Sequence, residues 1–329
     1  MPRTRRVIQK SAVYEVVSRA AHGLPLPPTE TTNEILKGIY ARSYRDGNVT
    51  LCNFVEMNNH SHQHSIPLQP EALPKMYGEM KKGITESLKA LLGLDYLTLW
   101  EPRAMVAILP CFEDVVARLV YLFCNPAKAG LVDTIDDYPG LSSWEAFKSC
   151  SPSVDATVTI PVRYYHKAAI PRLPQGNVLS ADQDRMILAD LHRSEDVFEE
   201  TLEISPLAWL KIFGITRKEK IEQIRKRVIK MVYEEEEKYR LARTRPVIGP
   251  EALKRQEYFK PHTPRKRERK IFVICNDPEL RVKIIQFVQS ISAKCRECYE
   301  QARRGIAAIW PDGVFLPWLP PRNFCSLSP

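Results

Sequence analysis

The chain has 329 residues, enough to bury a sizeable core and to suggest about two domains. Its hydrophobic share is 44%, its charged share 26% and its formal net charge +9, a basic globular balance that favours a polyanionic partner, most simply nucleic acid. The eight cysteines form no paired framework of a small secreted domain. No apolar run reaches the roughly 18 residues a membrane helix needs, and the basic N-terminus lacks a signal peptide's apolar stretch. The expectation is a cytoplasmic protein with reduced thiols and no membrane partner.

Residues 12 to 18 predict a first strand rich in β-branched residues. Residues 31 to 45 predict a helix carrying Ile35, Leu36, Ile39 and Tyr40, and Asp46-Gly47-Asn48 a turn. Residues 49 to 57 and 60 to 66 predict two more strands, broken by Asn58-Asn59. Leu73, Met76, Met80, Ile84, Leu88 and Leu91 recur at helical spacing, and Gly93 stops that helix. Residues 104 to 109 predict a fourth strand and 112 to 125 a helix that Asn125-Pro126 ends. The order β-α-β-β-α-β plus one helix gives an α+β fold class. It is the ferredoxin-like, split βαβ arrangement: an antiparallel sheet with helices on one face.

A boundary is expected near residue 150. Residues 1–150 form the first domain, 151–181 a Pro-rich linker with one strand-like run at 156–160, and 182–329 a mostly α-helical accessory domain with a Pro- and aromatic-rich tail. Residues 216 to 243 read as helix, and Asn276-Asp277-Pro278 starts another. Cys295 and Cys298 continue the apolar face of Ile284, Val288 and Ile291, so they read as buried thiols. The run Arg265-Lys266-Arg267-Glu268-Arg269-Lys270 is either a phosphate contact or a solvated loop.

Three of the seven histidines fall in Asn58-Asn59-His60-Ser61-His62-Gln63-His64. Alternate residues of a strand share a face, so His60, His62 and His64 project together. Paired imidazoles are good ligands for divalent ions; surface histidines in a polar turn or a structural zinc site remain the alternatives. Tyr121 and Asn125 stand one helical turn apart on one face. A tyrosine beside a divalent ion suits covalent phosphoryl transfer; a tyrosine packed on the sheet is the other reading.

Taken in order, these residues resemble the REP-associated tyrosine transposases, within the single-tyrosine HUH transposases. The resemblance spans about residues 5 to 147. It rests on Tyr14-Glu15-Val16-Val17-Ser18-Arg19, Met57-Asn58-Asn59-His60-Ser61-His62, Trp100-Glu101-Pro102-Arg103 and Asp137-Tyr138-Pro139 with Ser142-Ser143-Trp144. The most specific piece runs from Tyr121 through Asn125-Pro126, Lys128 and Gly130 to Val132. It is similar to the family's Tyr-x-x-x-Asn-Pro-x-(Lys/Arg)-x-Gly-x-Val. The resemblance implies a transposase whose nucleophile is Tyr121, attacking single-stranded or hairpin DNA to leave a 5′-phosphotyrosine. It implies Mg²⁺ or Mn²⁺ on His60, His62 and Asn125; His64, from the strand's departure from the family pattern, is the candidate extra metal or site residue. It further implies DNA contacts from Arg3, Arg5, Arg6, Arg19, Arg103 and Lys128. A homodimer is left open.

Ser61 departs from the family, which has a bulky apolar residue there, and Gln63-His64-Ser65 is unusually polar. A catalytically weak DNA-hairpin binder on the same fold is therefore the alternative. An RNA-recognition sheet is disfavoured, because Phe54 alone supplies an aromatic near the middle strands.

Overall fold

In a computed structural model, the described residues are 7–21, 24–173, 178–258 and 271–314. The first half runs β1 (Tyr14–Arg19), α1 (Glu30–Tyr44), β2 (Val49–Met57), β3 (His60–Pro67), α2 (Ala72–Leu92), β4 (Met105–Ile108), α3 (Phe112–Lys128) and α4 (Trp144–Ser149). The four strands form one antiparallel sheet in the order β2-β3-β1-β4. The second half adds β5 (Val158–Tyr165), α5 (Ala181–Arg193), β6 (Val197–Ile204), α6 (Lys218–Ala242), α7 (Pro250–Lys254) and α8 (Pro278–Arg303).

Local chemistry sets the element ends. Thr29 caps α1 by accepting from the Thr32 amide, and Asp184 of α5 accepts from the Glu30 and Thr31 amides. Gly93 ends α2 in the left-handed conformation, with φ 65°, which costs a residue without Cβ little. Asp277 caps α8, with Pro278 at its first turn. The helix α3 continues through Pro126 to Lys128, past its expected stop. The amide of Ala129 still reaches the Asn125 carbonyl at 2.9 Å, so the last turn closes around the proline.

Helices cover both faces of the sheet, where the sequence reading placed them on one. Tyr14, Val16, Leu51 and Phe54 pack with α1 and α2. Their strand neighbours Val13, Cys52 and Val55 point the other way and pack with Val115, Leu119 and Phe123 of α3. A strand apolar on both faces needs cover on both, and α3 supplies the second layer.

β3 lies between β2 and β1, with 60–67 paired, and its polarity does not loosen it. Gln63 donates to the Tyr40 hydroxyl at 2.8 Å and accepts from Tyr44 at 3.1 Å, while Ser65 meets Tyr44 at 3.0 Å. Tyr40 and Tyr44 lie one turn apart on α1, so two helix tyrosines satisfy the polar side chains of β3. Ser61 does turn inward on this face and is 1% exposed.

Two expectations for the second half are corrected. The 151–181 stretch contains β5, and the region beyond 182 contains β6, paired with β5 in an antiparallel ribbon. β5 overlaps the strand-like run 156–160 and continues past Pro161, while Glu199, Glu200 and Glu203 hide β6 from a propensity reading. The ribbon packs on α1, where Gly38 meets the Arg163 carbonyl so closely that no Cβ fits. The helix α6 packs behind α3, with Ile221, Ile224, Val228 and Val232 in the same cluster as Leu119 and Phe123. The hydrophobic interior thus runs across residue 150 without a break. Cys295 and Cys298 are buried on α8 as expected. Among the described residues, no helix is long and apolar enough to cross a membrane.

Candidate active site

The alternation of β3 places His60 and His62 on the α3 side of the sheet, with ring centroids 5.0 Å apart. Tyr121 comes from α3, and its ring centroid lies 5.7 Å from that of His62. The tyrosine is half-buried and faces the histidines. Asn125, one turn further, is 6% exposed, and its amide nitrogen has no hydrogen-bond partner. That nitrogen is a donor and calls for an acceptor, while a cation could meet only the amide oxygen.

Both imidazoles are oriented through Nδ1. His62 Nδ1 meets Glu15 Oε1 at 3.0 Å, and His60 Nδ1 meets Asn59 Oδ1 at 2.6 Å. A proton on each Nδ1 leaves each Nε2 as a lone-pair donor, the arrangement that carboxylate or amide partners impose on metal-binding histidines. Burial, followed by the charges of His62 and Arg19, pushes His60 down to about 3, so its ring is neutral and available to a cation at neutral pH. His60 and His62 thus offer two Nε2 lone pairs side by side, a pair that fits a divalent ion.

Arg118 and Glu15 belong to the site, and the sequence reading missed both. Arg118 grips Glu15 with Nε at 2.9 Å and a terminal nitrogen at 2.6 Å, and its guanidinium lies 4.0 Å from the Tyr121 ring centroid. Burial alone would raise the Glu15 carboxyl, but the His62 hydrogen bond and the His62 and Arg118 charges hold it down at about 2. Their signals were weak ones: a carboxylate inside an apolar strand, and an arginine three residues before the tyrosine. We expect Glu15→Gln to lower stability by about 2 kcal/mol at neutral pH, because it removes the charge from a buried, charge-assisted network. A urea melt unchanged from wild type would contradict this.

The other expected residues divide. His64 is 1% exposed, and neither ring nitrogen has a partner. Burial pushes it down to about 4, so it is a neutral ring in the interior. Among the described residues, the one group of three or more His, Cys, Asp or Glu ligand atoms within 4.8 Å of one another is Cys111, Asp114 and Cys275. His64 is thus not drawn together with His60 and His62. Lys128 is exposed, with its ammonium 4.5 Å from the Tyr121 ring centroid. Arg19 is exposed and stands opposite His60 across β1 and β3. Arg103 is exposed beyond Glu101, whose amide donates to the Arg19 carbonyl at 2.9 Å. Arg3, Arg5, Arg6 and the 265–270 basic run lie outside the described residues.

No family model matches this chain. No curated protein matches it either. Among solved structures, a REP-associated tyrosine transposase bound to a REP hairpin is similar to this chain at 22% sequence identity. The TM-score is 0.38, and the match covers 44% of this chain and 84% of that one.

Proposed function

We propose that this protein is a transposase-like enzyme that cuts and rejoins single-stranded or hairpin DNA through Tyr121. The observation that carries the reading is the convergence of His60, His62 and Tyr121 from two elements far apart in sequence. The motif resemblance over residues 5 to 147 points the same way. We read the sheet order, with α1 and α2 on one face, as the ferredoxin-like arrangement of an HUH nuclease domain.

In this reading His60, His62 and Asn125 hold Mg²⁺ or Mn²⁺, and imidazole ligands favour Mn²⁺ of the two. A bound ion there would supply charge stabilisation for a phosphate under attack. Glu15 fixes the tautomer and angle of His62. Tyr121 attacks the phosphorus, and its phenol gives up a proton. The phosphorus–O3′ bond breaks, and the 3′-oxygen takes a proton to leave a free 3′-OH. The ester bond energy is kept on Tyr121, so a new 3′-OH can reverse the step without a nucleotide cofactor. Arg19, Arg103 and Lys128 contact backbone phosphates around the site.

The test uses hairpin DNA labelled on either side of the cleavage point, incubated with the full chain and Mn²⁺. A denaturant-resistant protein–DNA adduct is expected with the 3′-side label alone, and chelation should abolish it. Hairpin binding without an adduct on any substrate would sink the enzymatic reading and leave a DNA-binding protein on this fold.

A further inference from the structure

A second cluster lies at the opposite end of α3. Cys111 is its N-cap residue, Asp114 sits in its first turn, and Cys275 belongs to the segment that leads into α8. That segment runs beside β4: Phe272 accepts from the Ile108 amide at 3.1 Å, and Ile274 donates back to the Ile108 carbonyl at 3.0 Å. Asn276 donates its amide to one Asp114 oxygen at 3.0 Å. The other Asp114 oxygen is buried without a hydrogen-bond partner, and the residue is 2% exposed.

The two sulfurs are 3.9 Å apart, and both cysteines are free thiols. A disulfide needs about 2.05 Å. Two thiolates on a tetrahedral ion at about 2.3 Å each would stand about 3.8 Å apart. One carboxylate oxygen lies within 4.8 Å of both sulfurs, the edge length of such a tetrahedron with some slack. Three groups that can each become anionic are packed together, and one Asp114 oxygen is left without a partner. A cation relieves that crowding. Cys111 is only partly buried, which leaves the fourth corner open to water.

We propose that Cys111, Asp114 and Cys275 form a zinc site that fastens the start of α3 to the 273–277 segment. Thiolates select a soft ion, so this site is chemically distinct from the imidazole–amide set at the other end of the helix. Zinc here ties the second half of the chain to the helix that carries Tyr121.

The experiment uses the reduced, chelator-stripped full chain and thiol alkylation mapped by mass spectrometry, with and without Zn²⁺. We expect Zn²⁺ to slow alkylation of Cys111 and Cys275 by at least about tenfold. Co²⁺ should give a thiolate–metal absorption band that survives His60→Ala and disappears in Cys111→Ser and in Cys275→Ser. Alkylation indifferent to Zn²⁺ overturns the assignment, as does a cobalt band unchanged in both serine variants. A Cys111–Cys275 crosslink in place of metal protection overturns it as well. Should the serine variants fail to fold, the wild-type alkylation result decides alone. Failure of DNA cleavage leaves this test untouched, because no step of it needs DNA.

Discussion

Tyr121→Phe is expected to abolish the covalent DNA adduct while leaving the protein folded. The ring, not the hydroxyl, makes the contacts that hold this side chain. Arg118 lies 4.0 Å and Lys128 4.5 Å from the ring centroid, and His62 meets it edge-on. Phenylalanine keeps that cation–π and aromatic packing, and among the described residues no hydrogen bond holds the half-buried hydroxyl. Stability should change by no more than about 0.5 kcal/mol, as for most surface changes. Removing a covalent nucleophile, by contrast, costs at least about a thousandfold in rate. Adduct formation on a denaturing gel, with a thermal melt alongside, separates the two. An adduct of undiminished yield would mean that another residue attacks.

Glu56→Gln should stabilise the protein at alkaline pH by about 3–5 kcal/mol and do little at pH 5. Glu56 is 4% exposed; one oxygen accepts from the Tyr40 hydroxyl and the other has no partner. Burial pushes this carboxyl up to about 8 despite the Tyr40 hydrogen bond, which acts the other way. The folded chain therefore keeps a proton that the unfolded chain releases near pH 4.5. Between about 4.5 and about 8 the unfolded state binds fewer protons, so stability falls as pH rises. Above the folded value the penalty is complete. Glutamine keeps an acceptor for Tyr40 and has no charge to bury. Urea melts at pH 5, 7 and 9 check this; parallel curves for wild type and variant would refute it.

The paired histidines and the tyrosine of the candidate site were legible because each depends on a local period. His60 and His62 share a face through the two-residue repeat of a strand, and Tyr121 and Asn125 through the turn of a helix. Glu15 and Arg118 were not legible, because their pairing joins positions 103 apart and only the folded sheet brings them together. The same limit hid β6 and the end of β5. Few of their residues are buried, namely Val162, Tyr165, Leu202 and Ile204. His64 shows the reverse error: its spacing matched the pair, but it lies too deep to meet them.

The two faces of β3 are written in different alphabets, and each proofreads the other. Slipping this strand by one residue against its neighbours would turn every side chain over. The imidazoles would then be thrust beneath α1 with no phenols arranged for them, and Gln63 would be stranded on the α3 side. The hidden handshake with Tyr40 and Tyr44 thus acts as a latch on alignment. A serine where a greasy side chain would be expected is compatible with that latch, since the strand draws its order from hydrogen bonding on the concealed side. The face that carries His60 and His62 inherits its geometry from side chains on the opposite side of the strand.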